Sequence, residues 1–154
     1  MLSDLGADDG LDTGAIAPDF ALPKLSGDGT VRLSKYRGRP VVVNFWASWC
    51  HPCRKEFPLL ADARKEHRHD GLEIIGVSFR DIPSDGRKFV KDEDATWVFG
   101  RDDDGTTAKE YGVRAVPQTF FIDADGTIRD RVFGITSAKD LEKTLQKILP
   151  KPSR

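Results

Sequence analysis

The sequence has few cysteines and no surplus of charge of either sign. Only two cysteines occur in 154 residues, too few for a small fold that depends on several disulfides. Lysine and arginine total 24, against 25 aspartates and glutamates, and no basic stripe interrupts this balance. Proteins that bind nucleic acid normally carry a basic face, so we expect no nucleic acid among the partners of this chain.

Long apolar runs are also missing. No segment approaches the roughly 20 apolar residues that span a membrane. Residues 1–14 have neither the basic start nor the apolar centre of a signal peptide. We therefore expect a soluble chain. Its acidic, glycine-rich start is typical of a flexible tail or a truncated end, and we expect that an upstream signal or anchor has been removed.

The length of the chain predicts one domain with a substantial core. We assign residues 1–14 to a flexible N-terminal tail, residues 15–150 to the domain and residues 151–154 to a frayed C-terminal tail. No internal repeat or low-complexity tract divides the domain.

The order of apolar runs predicts an α/β fold. Residues 41–46 and 72–79 are continuous apolar runs, typical of strands buried on both faces of a parallel sheet. A helix is expected between them, from about His51 to about His69, which implies a parallel crossover. Further elements are predicted as a hairpin of 20–23 with 31–33, helices at 84–92, at 103–111 and after Ser137, and strands at 118–123 and 128–133. The expected result is a mixed central sheet flanked by helices, with an N-terminal β-hairpin extension.

Both cysteines lie in one short segment, Trp49-Cys50-His51-Pro52-Cys53, directly after the first buried run. A strand that leads into a helix here places Cys50 at the helix N-terminus, where backbone N–H groups and the helix dipole stabilise a thiolate. The segment therefore predicts a redox dithiol. We expect Cys50, the more exposed sulfur, to be the nucleophile and Cys53, one turn inside the helix, to be the resolving thiol.

The residues next to the two cysteines have expected roles of their own, and two of them also have a purely structural interpretation. His51 can stabilise the thiolate when protonated, or it can simply face solvent at the helix start. Pro52 restrains the loop and holds the sulfur geometry. Trp49 either offers an apolar docking surface beside the exposed sulfur or packs as an ordinary aromatic.

A zinc site is one alternative to the dithiol, because Cys50, Cys53, His67 and His69 nearly copy a Cys2His2 order. The two histidines are separated by a single residue, however, and neighbours two apart on a helix point away from each other. They cannot close one tetrahedron, so we expect no metal. A pair of inert core cysteines is the other alternative.

Four segments carry a resemblance to a known family, namely Ala17-Pro18-Asp19-Phe20, residues 33–40, residues 43–53 and residues 116–123. With these segments the chain resembles the thioredoxin superfamily, specifically the TlpA/ResA/DsbE(CcmG)-like extracytoplasmic thiol-disulfide oxidoreductases. The first segment is also similar to peroxiredoxin-like domains. The resemblance extends from residue 17 to about residue 135 and implies a thioredoxin-like α/β fold.

The resemblance also assigns expectations to two residues far from the cysteines. Pro117 resembles the cis-proline that faces the dithiol in this family, although X–Pro bonds in general are cis in only about 5 to 6% of cases. The backbone of Val116 is expected to border the site and to pair with an incoming substrate strand, a form of β-augmentation.

One position departs from the family pattern. Thioredoxin itself keeps a buried acid on the central strand, six residues before the first cysteine, and this chain has Asn44 there. Asn44 cannot accept the proton that Cys53 must lose, so another base or water has to serve. In the TlpA/ResA-like proteins an acid after the next strand can fill this place, and Asp81 is the matching candidate. A solvated loop acid paired with Arg80 is the competing interpretation of Asp81.

By this resemblance we expect a disulfide reductase that works outside the cytoplasm without a bound cofactor. Its partners would be a disulfide-containing protein substrate, such as an apocytochrome c, and a membrane thiol-electron donor, and we expect a monomer. The alternatives are a disulfide oxidase or isomerase, a peroxidase, and a non-catalytic binding module on a thioredoxin scaffold. A peroxidase is disfavoured because Ala47 stands where a peroxidatic site has threonine.

Overall fold

The computed structural model describes residues 12–151. The expected tails at 1–14 and 151–154 therefore lie largely outside the described residues. The strands are β1 Ala21–Pro23, β2 Thr30–Arg32, β3 Val41–Trp46, β4 Glu73–Phe79, β5 Val98–Asp102, β6 Gln118–Ile122 and β7 Ile128–Val132. The α-helices are α1 His51–Glu66, α2 Pro83–Asp92, α3 Thr106–Glu110 and α4 Ala138–Leu145, and short 3-10 turns occupy Leu33–Tyr36 and Arg68–Asp70.

A five-stranded mixed sheet forms the centre of the fold, in the order β5-β4-β3-β6-β7. The β3, β4 and β5 strands are parallel, whereas β6 and β7 are antiparallel to their neighbours. All six residues of β3 are buried, as the continuous apolar run predicted for a strand covered on both faces. The predicted mixed sheet with flanking helices is confirmed.

The two faces of the sheet each cover an aromatic cluster. Successive residues of a strand point to opposite faces, so Trp46 packs with Phe57 on the α1 side, whereas Phe45 packs with Tyr111 and Phe120 on the other side. Both clusters lie beneath the end of β3 from which the cysteine segment begins. Within residues 12–151, no helix combines the length and the apolar character that crossing a membrane requires.

The predicted N-terminal hairpin is present as β1 and β2, with Leu22 opposite Val31. It lies against the outer strand of the main sheet, where the Leu25 N–H donates to the Phe99 carbonyl at 2.9 Å. Gly100 permits this approach, because a Cβ atom there would lie 3.1 Å from the Cβ of Leu22. The hairpin therefore covers an edge strand that would otherwise expose unpaired backbone groups.

The structure corrects two of the predicted boundaries. The helix expected over 103–111 is only the short α3, and residues 98–102 form a strand that the sequence did not predict. Asp102 connects the two elements, because its buried carboxylate accepts hydrogen bonds from the Thr107 and Ala108 N–H groups at 3.1 and 2.8 Å. Asp102 thus ends a strand and caps the next helix. The long helix expected to reach His69 ends at Glu66.

Candidate active site

The backbone brings Cys50 to the start of α1. Strand β3 ends at Trp46, a short loop follows, and Cys50 is the N-cap of the helix with extended backbone angles. Its Sγ accepts a hydrogen bond from the Cys53 N–H at 3.2 Å. Such N–H groups at a helix start stabilise negative charge, so the position favours a thiolate on Cys50 when the pair is reduced.

Cys50 and Cys53 are joined by a disulfide bond in this structure, with their Cα atoms 5.4 Å apart. Cys50 keeps 4% of its surface exposed and Cys53 none. The pair is therefore the oxidised form of a dithiol, closed within the first turn of the helix. A reagent that approaches the disulfide from solvent while the protein stays folded therefore contacts Cys50 first.

The side chains beside the sulfurs extend towards solvent. Trp49 is 58% exposed, and its indole N–H donates to the Arg80 carbonyl at 3.1 Å, which fixes the ring beside the cysteine segment. His51 and Pro52 are exposed in the first turn of α1. Proline is tolerated there because the first helical N–H groups have no partner within the helix.

Asp81 lies after β4 and binds the loop that leads to the cysteines. Its carboxylate accepts hydrogen bonds from the Ser48 N–H and the Ser48 hydroxyl, both at 2.7 Å, and from the Ile82 N–H at 2.9 Å. Both carboxylate oxygens are thus occupied with holding residues 48 and 82 in place. The contacts of Asp81 are those of a residue that positions the loop.

The Val116–Pro117 peptide bond is cis, in agreement with the expectation from the family resemblance. Pro117 is buried and Val116 is half-buried. The next residue, Gln118, begins β6 and lies opposite Phe45 near the end of β3. The cis-proline loop therefore meets the same edge of the sheet as the segment that carries Cys50.

Glu56, a buried acid one helical turn beyond Cys53, is a site residue that the sequence did not predict. Only 1% of Glu56 is exposed, and its Oε1 accepts from the Asn44 side-chain amide at 3.2 Å while its Oε2 accepts from the Ile135 N–H at 2.6 Å. Because residues three apart on a helix share a face, Glu56 and Cys53 both point into the core. The available signal was its helical position between Cys53 and the apolar Phe57, both of which are buried.

Burial raises the pKa of Glu56 to about 7, against the hydrogen bonds from Ile135 and Asn44, which act to lower it. A carboxyl group of this kind is partly ionised at neutral pH. It can therefore accept a proton and return it under physiological conditions.

The histidines of the zinc alternative lie in a different environment from the cysteines. His67 Nδ1 is 3.0 Å from an Asp70 carboxylate oxygen, and its Nε2 is 2.7 Å from a Glu142 carboxylate oxygen. The His69 side chain is 80% exposed. His67 therefore connects the end of α1 to α4 through Glu142 and to the following turn through Asp70, and it does not join the cysteine pair.

Comparison with known proteins gives consistent relatives. Residues 13–131 match the AhpC/TSA family. The thiol-disulfide oxidoreductase ResA of Bacillus thuringiensis is 33% identical over 140 residues, covering 91% of this chain and 80% of the relative.

Solved structures with the same fold have related descriptions. A Chlorobium tepidum protein assigned as a thiol:disulfide interchange protein DsbE superposes with a TM-score of 0.83 at 34% identity, over 88% of this chain and 96% of that one. A secreted Mycobacterium tuberculosis disulfide oxidoreductase, described as homologous to DsbE of E. coli, gives a TM-score of 0.76 at 25% identity, over 84% and 96% of the two chains.

Proposed function

Since the chain belongs to the AhpC/TSA family and is a thiol-disulfide oxidoreductase similar to ResA and DsbE, we propose that it reduces disulfides in proteins outside the cytoplasm. The observation that carries the proposal is the position of Cys50 as N-cap of α1, with its sulfur accepting the Cys53 N–H. This position favours the thiolate that must begin the reaction.

The proposed reaction is a pair of thiol-disulfide exchanges. The Cys50 thiolate attacks one sulfur of the substrate disulfide, the other substrate sulfur leaves as a thiolate, and a mixed disulfide forms. Cys53 then loses its proton and attacks the Cys50 sulfur, which releases the second substrate thiolate and closes the Cys50–Cys53 bond. The substrate gains two electrons and the protein loses two, so an external thiol donor must reduce the pair again.

We propose Glu56 as the group that takes the proton from Cys53. The two side chains lie on the same buried face of α1, and burial raises the pKa of Glu56 to about 7, between the free carboxyl and free thiol values. Asp81, the candidate from the sequence, is assigned a positioning role, because both of its oxygens already accept hydrogen bonds from Ser48 and Ile82. His51 and Pro52 are proposed to tune the Cys50 thiolate from the solvent side.

Substrate binding is assigned to the surface around the disulfide. Trp49 supplies exposed apolar area, and the backbone of Val116, before cis-Pro117, is proposed to pair with an extended segment of the substrate. Main-chain pairing holds an extended segment through its backbone N–H and C=O groups.

The relatives support the proposed compartment, and the compartment bears on the proposed electron donor. The similar Mycobacterium tuberculosis protein is described as secreted, and this supports a location outside the cytoplasm for the present chain. Glutathione and thioredoxin act in the cytosol, so we propose that a membrane thiol-electron donor returns the electrons. An apocytochrome c with an oxidised cysteine pair is the proposed substrate, and the working form is proposed to be a monomer.

Trapping the mixed disulfide tests the proposal. The reduced Cys53→Ala protein should hold a protein substrate with an oxidised Cys-x-x-Cys pair as a covalent complex, since the resolving thiol is missing. The Cys50→Ser protein should form no complex, and both variants should fail to turn over. Full turnover by Cys50→Ser would contradict the proposed order of attack.

A further inference from the structure

A surface cavity of about 430 Å³ lies beside the cis-proline loop. Its lining residues are Arg114, Ala115, Gln118, Arg131 and Phe133. None of these residues belongs to the cysteine segment or to the groups assigned above. The cavity is therefore a separate feature of the surface.

The cavity is close enough to the dithiol to contact the same substrate. Ala115 directly precedes Val116, and Gln118 directly follows cis-Pro117. Gln118 also lies opposite Phe45, near the end of β3 that leads to Cys50. A polypeptide paired with the Val116 backbone would thus pass the mouth of this cavity.

The charge of the cavity is cationic. Among residues 12–151, two arginines and no acidic residue line it. The Arg131 guanidinium has no ion-pair partner within residues 12–151, although the basic residue two positions before it, Arg129, contacts Asp123 at 3.4 Å. The adjacent Asp130 is paired with Lys147 at 2.8 Å. Arginine in such a position binds a carboxylate well, because its planar group offers parallel donors.

A second observation points to a ligand in the same place. Gln118 is only 7% exposed, and its Oε1 atom has no hydrogen-bond partner among the described residues. A buried acceptor of this kind is costly unless a donor reaches it. Phe133, which is 67% exposed, adds an apolar wall. A ligand that fits would combine a carboxylate, an N–H donor and a short apolar stem, as an acidic residue in a peptide does.

We propose that this cavity is a specificity subsite for an acidic side chain close to the reactive disulfide of the substrate. Arg131 binds the carboxylate, Gln118 Oε1 accepts a backbone N–H of the same segment, and Phe133 packs on the side-chain stem. This inference rests on the proposed reductase function and names a substrate class for it, namely polypeptides with an aspartate or glutamate near the oxidised cysteine.

The test uses matched pairs of peptides that contain a disulfide. The two peptides of a pair differ only in having glutamate or glutamine at one position, and this position is varied on either side of the reactive cysteine. For the wild-type protein, kcat/KM should be about tenfold higher with glutamate at one of these positions, as expected for a charge-assisted contact. Arg131→Gln should abolish the preference and Arg131→Lys should restore part of it. Arg129→Gln, which alters the neighbouring cation of the same strand, should retain the preference.

A binding measurement separates this inference from the proposed function. Peptides with serine in place of the cysteines cannot react, and their affinity for the oxidised protein is measured by calorimetry. Tighter binding of the glutamate peptide to wild-type and Arg129→Gln, but not to Arg131→Gln, would support the subsite even if no peptide were reduced. Equal binding and equal kcat/KM for both peptides, or a preference that survives Arg131→Gln, would overturn it.

Discussion

The side-chain amide of Asn44 donates a hydrogen bond to Glu56 Oε1 across 3.2 Å, linking the central strand β3 to the helix that carries both cysteines. Thioredoxin itself has a buried acid at the strand position, and here the strand offers an amide while the facing helix supplies the carboxyl group. The Thr119 hydroxyl accepts a second bond from the same amide at 2.9 Å. The buried acid of α1 is thus held by Asn44 of β3, and Asn44 is in turn bonded to Thr119 of β6.

The first prediction concerns stability. Glu56 has a pKa of about 7 in the folded protein, because burial raises it from the ordinary glutamate value of 4.5. Between these two pH values the native state keeps a proton that the unfolded state has released, so the free energy of unfolding falls as the pH rises. The total loss is on the order of 3 kcal/mol, and it is complete above about pH 7.

Urea unfolding of the oxidised protein at several pH values between about 5 and 8 measures this loss. Glu56→Gln keeps the size of the side chain and an acceptor for the Ile135 N–H, so it serves as the matched variant. Its free energy of unfolding should decline less over this range than that of the wild type. Parallel curves for the two proteins would show that Glu56 does not hold its proton in the fold.

The second prediction concerns the resolving step. If Glu56 accepts the Cys53 proton, Glu56→Gln should slow the decay of the mixed disulfide by about 100-fold, the usual scale of general base catalysis. The attack of Cys50 on the substrate should change much less. Rapid-quench separation of the mixed disulfide measures both steps, and an unchanged decay rate would remove Glu56 from the proton transfer.

The third prediction concerns Asp81. Asp81→Asn loses one of the two acceptor atoms that hold Ser48, so we expect faster hydrogen exchange of the Ser48 amide and a loss of about 1–2 kcal/mol in stability. The pH dependence of the reductase rate should keep its midpoint, because positioning does not add a titrating group. A displaced midpoint would show that Asp81 exchanges protons with the dithiol. Ser48→Ala, which removes only the hydroxyl bond, is the control.

The fourth prediction concerns His67. Burial acts to lower its pKa, but the hydrogen bonds with Glu142 and Asp70 outweigh burial and raise the pKa above the ordinary 6.5. The stabilisation is therefore fully present below pH 6.5 and is lost as the pH rises through the higher folded value. The free energy of unfolding of the wild type should exceed that of His67→Gln by more at about pH 5.5 than at about pH 8.5. His69→Gln, at a side chain that is 80% exposed, is the matched control variant.

The sequence predicted the features that depend on local pattern. The apolar run 41–46, the cysteine segment and the serine cap at Ser137 each have a direct physical cause, and the structure contains β3, the Cys50 N-cap and α4 at these places. Strand β5 escaped prediction because Gly100, Arg101 and Asp102 break its apolar pattern, and its partners are β4 and the N-terminal hairpin.

Glu56 escaped prediction for a related reason. A charged residue in an amphipathic helix normally faces solvent. Its burial depends on Asn44 and on the Ile135 N–H, which are 12 and 79 residues away in the chain. The cationic cavity likewise combines Gln118 of β6 with Arg131 of β7, and only the pairing of these two strands brings the two residues together.

The reduction potential of the Cys50–Cys53 pair tests the central claim most directly. Equilibration with a glutathione buffer, followed by trapping of free thiols, gives the potential. The account of a dedicated reductase predicts a value below about −220 mV. A value between about −180 and −120 mV would contradict it, because at such a potential the pair would donate its disulfide and act as an isomerase or oxidase.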